Sequence, residues 1–213
     1  MKILLQNKNI VLTNNSLISI DNDNIAENGS LVRITQPKLT IIKDITRATI
    51  ALITLGGVVP KGNPDNIPVS ASTIYKKYSI NGIEDLTSDN YETIDGGFDP
   101  ADVNADPDRM LPIDAMRDLE KKGEIYALYD YFYTSSGTGM TVATANTLGA
   151  SIATELKSAN VNGVILTCGD GTATRASATM CKKIEEVLLK PAVIVTALSP
   201  VAKTIGANRI VVG

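Results

Sequence analysis

The sequence predicts an α/β fold: a mainly parallel sheet with helices on both faces, preceded by a small N-terminal β appendage over residues 1–45. Three observations carry this. Four short apolar runs rich in β-branched residues begin at Ala48, Ile125, Val161 and Ala192, as strands buried on both faces do. Segments of helical periodicity lie between the later ones, the alternation that builds parallel sheets. Small or hydroxylic residues follow each run: Gly56-Gly57, Ser135 to Gly139, Gly169 to Thr172, and Ser199-Pro200. Right-handed crossovers bring such ends to one edge, where open α/β sheets bind ligands.

Residues 1–30 are Asn-rich, with apolar clusters at Ile3–Leu5, Ile10–Leu12 and Leu17–Ile20. They read as short strands with turns at Asn7-Lys8-Asn9 and Asn14-Asn15 and loops at Asp21–Asn24 and Asn28-Gly29. The segment is either an appendage packing on a neighbouring subunit or a flexible leader. Ala48–Thr54 is a buried strand. The stretch from Pro60 to about Pro112 holds most of the prolines and reads as irregular, with a strand at Tyr91–Ile94 and a turn at Asp95–Asp99. A loop region of that length commonly covers a site. Ile113–Lys122 is a helix with Ile113, Met116 and Leu119 on one face and Gly123 as its stop.

Ile125–Tyr133 is a tyrosine-rich strand. Thr141–Ala159 is an amphipathic helix, with Val142, Ala145, Leu148, Ile152, Leu156 and Ala159 sharing a face. The run from Val161 is a strand that breaks at Gly169-Asp170-Gly171, and helical spacing resumes over Thr174–Leu189. A strand, a glycine loop and a helix in succession aim backbone N–H groups and a helix dipole at one spot, which suits a small anion. The alternative is that the glycines only make a tight turn. Pro191–Leu198 is a further buried strand, followed by a helical piece at Ala202–Ile205 and an edge strand at Arg209–Val212.

Composition narrows the chemistry. The chain has 213 residues, 44% apolar, which suffices for one large domain or a domain with an appendage. Twenty basic residues against 23 acidic ones give a net charge of −3, so no electrostatic argument for nucleic acid exists. There is no apolar run of membrane-spanning length, and the N-terminus turns polar too soon for a signal peptide. Two cysteines, Cys168 and Cys181, give no disulfide framework, and a cytoplasmic, reducing location is expected. The absence of histidine removes the usual base near neutral pH and the commonest metal ligand. Chemistry then falls to carboxylates, hydroxyls, lysines, Cys168 or a bound cofactor. That thiol is either lowered in pKa by the helix terminus or an inert buried group; Cys181 falls on the apolar helix face. Asp170 either caps the helix or works in catalysis. Asp95, Asp99, Asp102 and Asp170 are read as turn formers rather than a metal centre. Arg175 either pairs with a substrate carboxylate or is solvated.

Several motifs in order, from Thr46 to Gly213, resemble one family. They are Gly57–Asn66, Asp95–Pro100, Asp106–Asp114, Ser136–Gly139, Leu166–Arg175 and Lys203–Val211. The resemblance is to the selenoprotein B component of glycine, sarcosine and betaine reductases, with its D-proline reductase relative. It implies reductive cleavage of a C–N bond in a small amino acid, by a selenocysteine assisted by cysteines. It also implies partner subunits, some carrying a pyruvoyl group, while this chain itself holds no cofactor. The departures fall on the working residues. Asp170 stands at the family's selenocysteine position, Ala173 and Ala176 at cysteine positions, and Asp95 at a histidine position. The candidate set is therefore Asp170 and Cys168 for chemistry. Gly57, Asp95, Ser136, Thr138, Gly171, Thr172 and Arg175 would bind a small carboxylate substrate, and a homo-oligomer is expected. Three functions compete: an enzyme with altered, polar chemistry; a non-catalytic subunit or small-anion-binding module; and an inactive or engineered form of the parent reductase.

Overall fold

The computed structural model describes the strands Ile3–Leu5, Lys8–Thr13 and Ser16–Ile20 and residues 39–213. The chain divides into two compact units, Met1–Gln36 and Pro37–Gly213. In the first, β1 (Ile3–Leu5), β2 (Lys8–Thr13) and β3 (Ser16–Ile20) form an antiparallel meander. The three apolar clusters are its strands. Lys8 and Asn9, read from sequence as turn residues, begin β2 instead and pair with Leu5 and Leu4. The turns at Asn7 and Asn14-Asn15 and the loops at Asp21–Asn24 and Asn28-Gly29 lie outside the described residues.

The second unit is α/β. In chain order its strands are β4 (Thr49–Thr54), β5 (Val58–Pro60), β6 (Lys76–Ser79), β7 (Tyr91–Thr93), β8 (Ala127–Thr134), β9 (Gly163–Thr167), β10 (Ala192–Val195) and β11 (Ile210–Val211). Its helices are α1 (Ala101–Ala105), α2 (Ile113–Lys121), α3 (Val142–Ser158), α4 (Gly171–Leu188) and α5 (Ser199–Ile205). Six strands form one sheet in the order β11-β10-β9-β4-β8-β6. Every pairing is parallel except that of β6 with β8. Strands β5 and β7 form a separate antiparallel pair.

The faces follow from strand alternation. Ala51, Ile53 and Leu55 point to one side and pack with α3, α4 and Ala202 of α5. Ile50 and Leu52 point to the other, against Ile113 and Met116 of α2 and the segment around Ile80–Leu111. Helices therefore cover both faces, as the continuous apolar runs required. Among the described residues no helix is long and apolar enough to cross a membrane.

Several elements differ from the sequence reading, among them helix α1, which lies in the stretch read as irregular, and α5, which starts at Ser199 rather than Ala202. Helix α4 starts at Gly171 rather than Thr174, because Asp170 caps it and accepts from the amides of Thr172 and Ala173. Strands β5 and β6 fall in the stretch read as irregular. The segment Lys76–Ser79 lacks an apolar alternation and becomes a strand only by pairing with β8, Lys76 opposite Thr134 through Ser79 opposite Tyr131.

Candidate functional site

The ends of β8, β4 and β9 lie side by side, and the chain keeps pairing beyond them. Leu55 N donates to Thr167 O at 2.9 Å, Gly57 N to Ser135 O at 3.1 Å and Gly137 N to Leu55 O at 2.8 Å. This knits residues 55–57, 135–139 and 168–172 into one edge. The stretch after β7 closes on it, with Ile94 N donating to Gly57 O at 3.0 Å.

At the centre stands Asp170. Its Oδ1 accepts from Thr172 N at 2.6 Å, Thr172 Oγ1 at 2.8 Å and Ala173 N at 3.0 Å, and its Oδ2 lies 2.6 Å from Thr138 Oγ1. Burial disfavours its charge, but the hydrogen bonds from Thr138, Ala173 and Thr172 more than offset that and hold the carboxyl below its ordinary value. The second carboxyl, Asp95, is 3% exposed. Its Oδ2 meets Ser136 Oγ at 2.9 Å, Gly137 N at 2.8 Å and Thr138 N at 3.2 Å; its Oδ1 accepts from Gly97 N at 2.8 Å and contacts Thr138 Oγ1. A single hydroxyl, that of Thr138, thus stands between two carboxyl groups.

The structure brings Gly57, Asp95, Ser136, Thr138, Asp170, Gly171 and Thr172 together. Gly171 is the first residue of α4, and Thr172 Oγ1 also accepts from Gly139 N at 3.0 Å. Two of the predicted residues turn elsewhere. Arg175, one turn along α4, donates from Nη2 to Met140 O at 3.2 Å. Cys168 Sγ sits 3.5 Å from Thr174 Oγ1 and 3.8 Å from Val195 O, behind α4. Burial pushes that thiol up despite the nearby hydroxyls of Thr174, Thr196 and Ser177. Asp99 accepts from Ala101 N at 3.0 Å and Asp102 faces Arg109 at 3.6 Å, so neither joins Asp95 and Asp170.

Two features escaped the sequence reading. The turn at Val69–Ala71 lies over the edge: Val69 O accepts from Gly96 N at 3.0 Å and Ser136 Oγ at 2.7 Å, and Ala71 N donates to Thr138 O at 2.7 Å. Gly97 passes so near that a Cβ there would stand 2.0 Å from Thr138 Oγ1 and 2.3 Å from Asp170 Oδ2. The only signal for the Val69–Ala71 turn was the length of the irregular region, which is where site covers arise; Gly97 lay in the turn read at Asp95–Asp99, with nothing local to show what it passes.

The arrangement suits some chemistry and not other chemistry. The amides of Gly137, Thr138, Thr172 and Ala173, which would cradle an anion, are already bound by the chain's own Asp95 and Asp170. What the edge offers instead is carboxyl groups and hydroxyls that accept, hold and pass protons or face a cationic nitrogen.

Comparison of the sequence with known proteins points to one family. The family described as glycine/sarcosine/betaine reductase selenoprotein B matches residues 31–169, ending one residue before Asp170. The glycine reductase complex component B subunit gamma of Carboxydothermus hydrogenoformans is 50% identical over 175 residues, 82% of this chain and 40% of the relative. The betaine reductase complex component B subunit beta of Peptoclostridium acidaminophilum is 46% identical over 170 residues, 80% of this chain and 39% of the relative. The D-proline reductase subunit gamma of Acetoanaerobium sticklandii is 33% identical over 184 residues, 84% of this chain and 73% of the relative. The chain spans about two fifths of the length of the component B relatives it matches. No solved structure matches it. The match runs through β4, β8 and β9, the strands whose ends build the edge, and the D-proline reductase relative is covered over most of its length; the chain therefore belongs to the glycine/sarcosine/betaine reductase selenoprotein B family.

Proposed function

We propose that this chain serves as a component-B-type subunit of a reductase-family complex, with acid–base chemistry at Asp170 in place of redox chemistry. The substrate class is a small amino-acid-derived carboxylate, and the partners are further subunits of such a complex. The observation that carries the reading is the position of Asp170: a carboxylate caps α4 at the centre of the edge and is held ionised by four hydrogen bonds. By the resemblance, this is the place of the selenocysteine, with Ala173 and Ala176 in place of cysteines. A carboxylate cannot form the selenide or disulfide that a reductive cycle at this position needs. Cys181, 2% exposed on the core face of α4, is a poor resolving partner for Cys168, since exchange needs access. The relatives are named for glycine, betaine and sarcosine, whose nitrogens are cationic, and an acidic edge complements that charge.

A non-catalytic subunit is the second reading. The specific observation in its favour is that Gly97 lies so close to Asp170 Oδ2 and Thr138 Oγ1 that even a Cβ there would clash with both. Binding without turnover separates the two readings.

The test uses the chain alone and together with the family's partner subunits. With a dithiol and glycine, sarcosine, betaine or D-proline, no C–N cleavage product forms with the chain alone, neither ammonia or an amine from the open-chain substrates nor the ring-opened amino acid from D-proline; dithiol-dependent formation of any of them would overturn the reading. Asp170→Asn keeps a helix cap of similar quality but loses the charge that its hydrogen bonds favour, which lowers stability by about 1 kcal/mol, while substrate binding or turnover drops at least about tenfold, some 1.4 kcal/mol. Asp170→Cys, made alone and with Ala173→Cys, asks whether a reductive half-reaction returns in the presence of the partners. The single variant matters because Ala173 is fully buried and its Cβ lies 2.6 Å from where a Gly137 Cβ would stand, so a larger side chain there has little room.

A further inference from the structure

An open cavity of about 570 Å³ lies away from the Asp170 edge, with Pro60, Ile83, Glu84, Asp85, Asn90 and Tyr91 in its lining. The β5–β7 ladder sets its place. Val58 opposite Thr93 is the rung next to Gly57 and the edge, and Pro60 opposite Tyr91 is the far rung. Three residues of strand, about 10 Å, separate Pro60 from Gly57. The volume suits a small organic molecule.

Tyr91 is the anomaly in this wall. It is 8% exposed, and its ring packs 6.3 Å from that of Phe132. A buried tyrosine hydroxyl usually finds a partner, and those of Tyr75, Tyr78 and Tyr133 find carboxylates. The Tyr91 hydroxyl makes no hydrogen bond among the described residues, and burial alone pushes its phenol above the ordinary value. Nor is that hydroxyl sealed in. The unpartnered polar atoms shut off from every opening are those of Thr134, Thr167, Arg175 and Ser177. The Tyr91 hydroxyl is not one of them, and the opening that its residue lines is this cavity.

The charge of the wall selects the ligand. Asp85 has no ion-pair partner among the described residues, because the nearby cations are engaged. Lys121 pairs with Glu84 at 2.6 Å, and Lys61 with Glu92 at 3.6 Å and the Ser88 carbonyl at 3.2 Å. Arg117 pairs with Glu120 and donates to the carbonyls of Ile80 and Ile83. The Asp108 carboxyl stands beside Asp85, so an anion is disfavoured. Asn90 Nδ2 donates to Thr87 Oγ1 at 3.0 Å, which leaves the Asn90 side-chain oxygen as a further acceptor. Among the described residues no three carboxyl or thiol groups are arranged to hold a metal ion, which leaves an organic cation.

We propose that this cavity is a second binding site, for a small organic ammonium ion whose nitrogen pairs with Asp85 and donates to the Tyr91 hydroxyl while its alkyl body lies on Pro60 and Ile83. The site does not depend on the reading of Asp170.

The experiment titrates the ¹⁵N-labelled full chain with n-butylammonium near neutral pH and follows the amides of Ile83, Asp85 and Tyr91 by NMR. Neutral n-butanol and anionic butyrate are the controls. Butylammonium gives saturable shifts in the millimolar range, butanol binds at least about tenfold more weakly, and butyrate does not bind. Asp85→Asn weakens butylammonium at least about tenfold, and Tyr91→Phe about two- to tenfold. The thermal midpoint of Tyr91→Phe stays at the wild-type value, since the lost hydroxyl had no protein partner; a clear drop would show that it had one and overturn the site. Shifts that never saturate, equal affinity for butanol, or an unchanged affinity in both variants also overturn it. Should Asp85→Asn not fold, the three ligands on the wild type and Tyr91→Phe decide. Asp170→Asn binds butylammonium like the wild type; if its binding is lost, the amine sits at the Asp170 edge and the second site falls. No turnover enters this measurement, so failure of the proposed function and failure of this site are read separately.

Discussion

A single methyl group added at Gly97 probes how tightly the loop after β7 closes on Asp170. In Gly97→Ala the new Cβ would lie 2.0 Å from Thr138 Oγ1, 2.3 Å from Asp170 Oδ2 and 2.7 Å from Asp170 Cγ. Those separations fall short of van der Waals contact by about 1 Å or more, so the loop lifts or the Thr138–Asp170 pair parts. Overpacking of this kind costs about 1–3 kcal/mol, and a lost hydrogen bond to a charged group about 1.5–3 kcal/mol. The gain from restricting the unfolded chain, about 0.4–1 kcal/mol, offsets a little of this. The net loss is about 3 kcal/mol, and for a unit of this size that lowers Tm by about 6–12 °C. Gly96→Ala is the control, since a Cβ there meets only Val69 O at 3.4 Å and stability stays within about 0.5 kcal/mol. Thermal unfolding followed by circular dichroism reads both. If Gly97→Ala melts with Gly96→Ala and the wild type, the loop does not close on the pair and the site is more open than described.

Glu155 accepts from Tyr75 at 2.6 Å and from the buried Tyr133 at 3.1 Å, and meets Lys77 at 3.5 Å; Glu155→Gln lowers stability by about 1–2 kcal/mol, read by urea unfolding, and an unchanged midpoint would show the tyrosine hydroxyls finding other acceptors. Asp108 is raised to about 7, first by burial and then by neighbouring acids, against the amides of Asp114 and Leu86 that it binds. Between about pH 4 and pH 7 the native state keeps a proton there that the unfolded chain releases, so this group lowers stability as pH rises through that window and is level above it. Asp108→Asn removes that contribution, and the difference in unfolding free energy between variant and wild type then shifts toward the variant from pH 4 to 7; a constant difference would refute it.

What the sequence made legible divides along a physical line. The strands at Ala48, Val161 and Ala192 could be read because both faces are buried and nothing but apolar residues suits them. Strand β6 could not, because Lys76 and Lys77 keep their charged ends near water and only the partner β8 makes the segment a strand. Asp170 was visible as a polar residue between glycines where a strand gives way to a helix. Asp95 looked like an ordinary turn former before two glycines; its burial comes from Ser136, Gly137 and Thr138, more than forty residues away. The bridging role of Thr138 is likewise a product of three separate segments meeting. Local pattern marks where the chain bends, and only packing decides which polar group ends up between which others.

The strand at the middle of the sheet, β4, is the first of the six to be synthesised. Its neighbours arrive late: Asn162, which caps Thr49 N from just before β9, lies 113 residues downstream. At about 5–20 residues per second on a ribosome, that separation leaves β4 roughly 6–23 s without its second flanking strand. Throughout that interval the edge of β4 that pairs with β9 stays open. Birth of this domain therefore depends on the nascent segment being shielded, whereas β8, α3, β9, α4 and β10, each adjacent in sequence to the next, can assemble as they emerge.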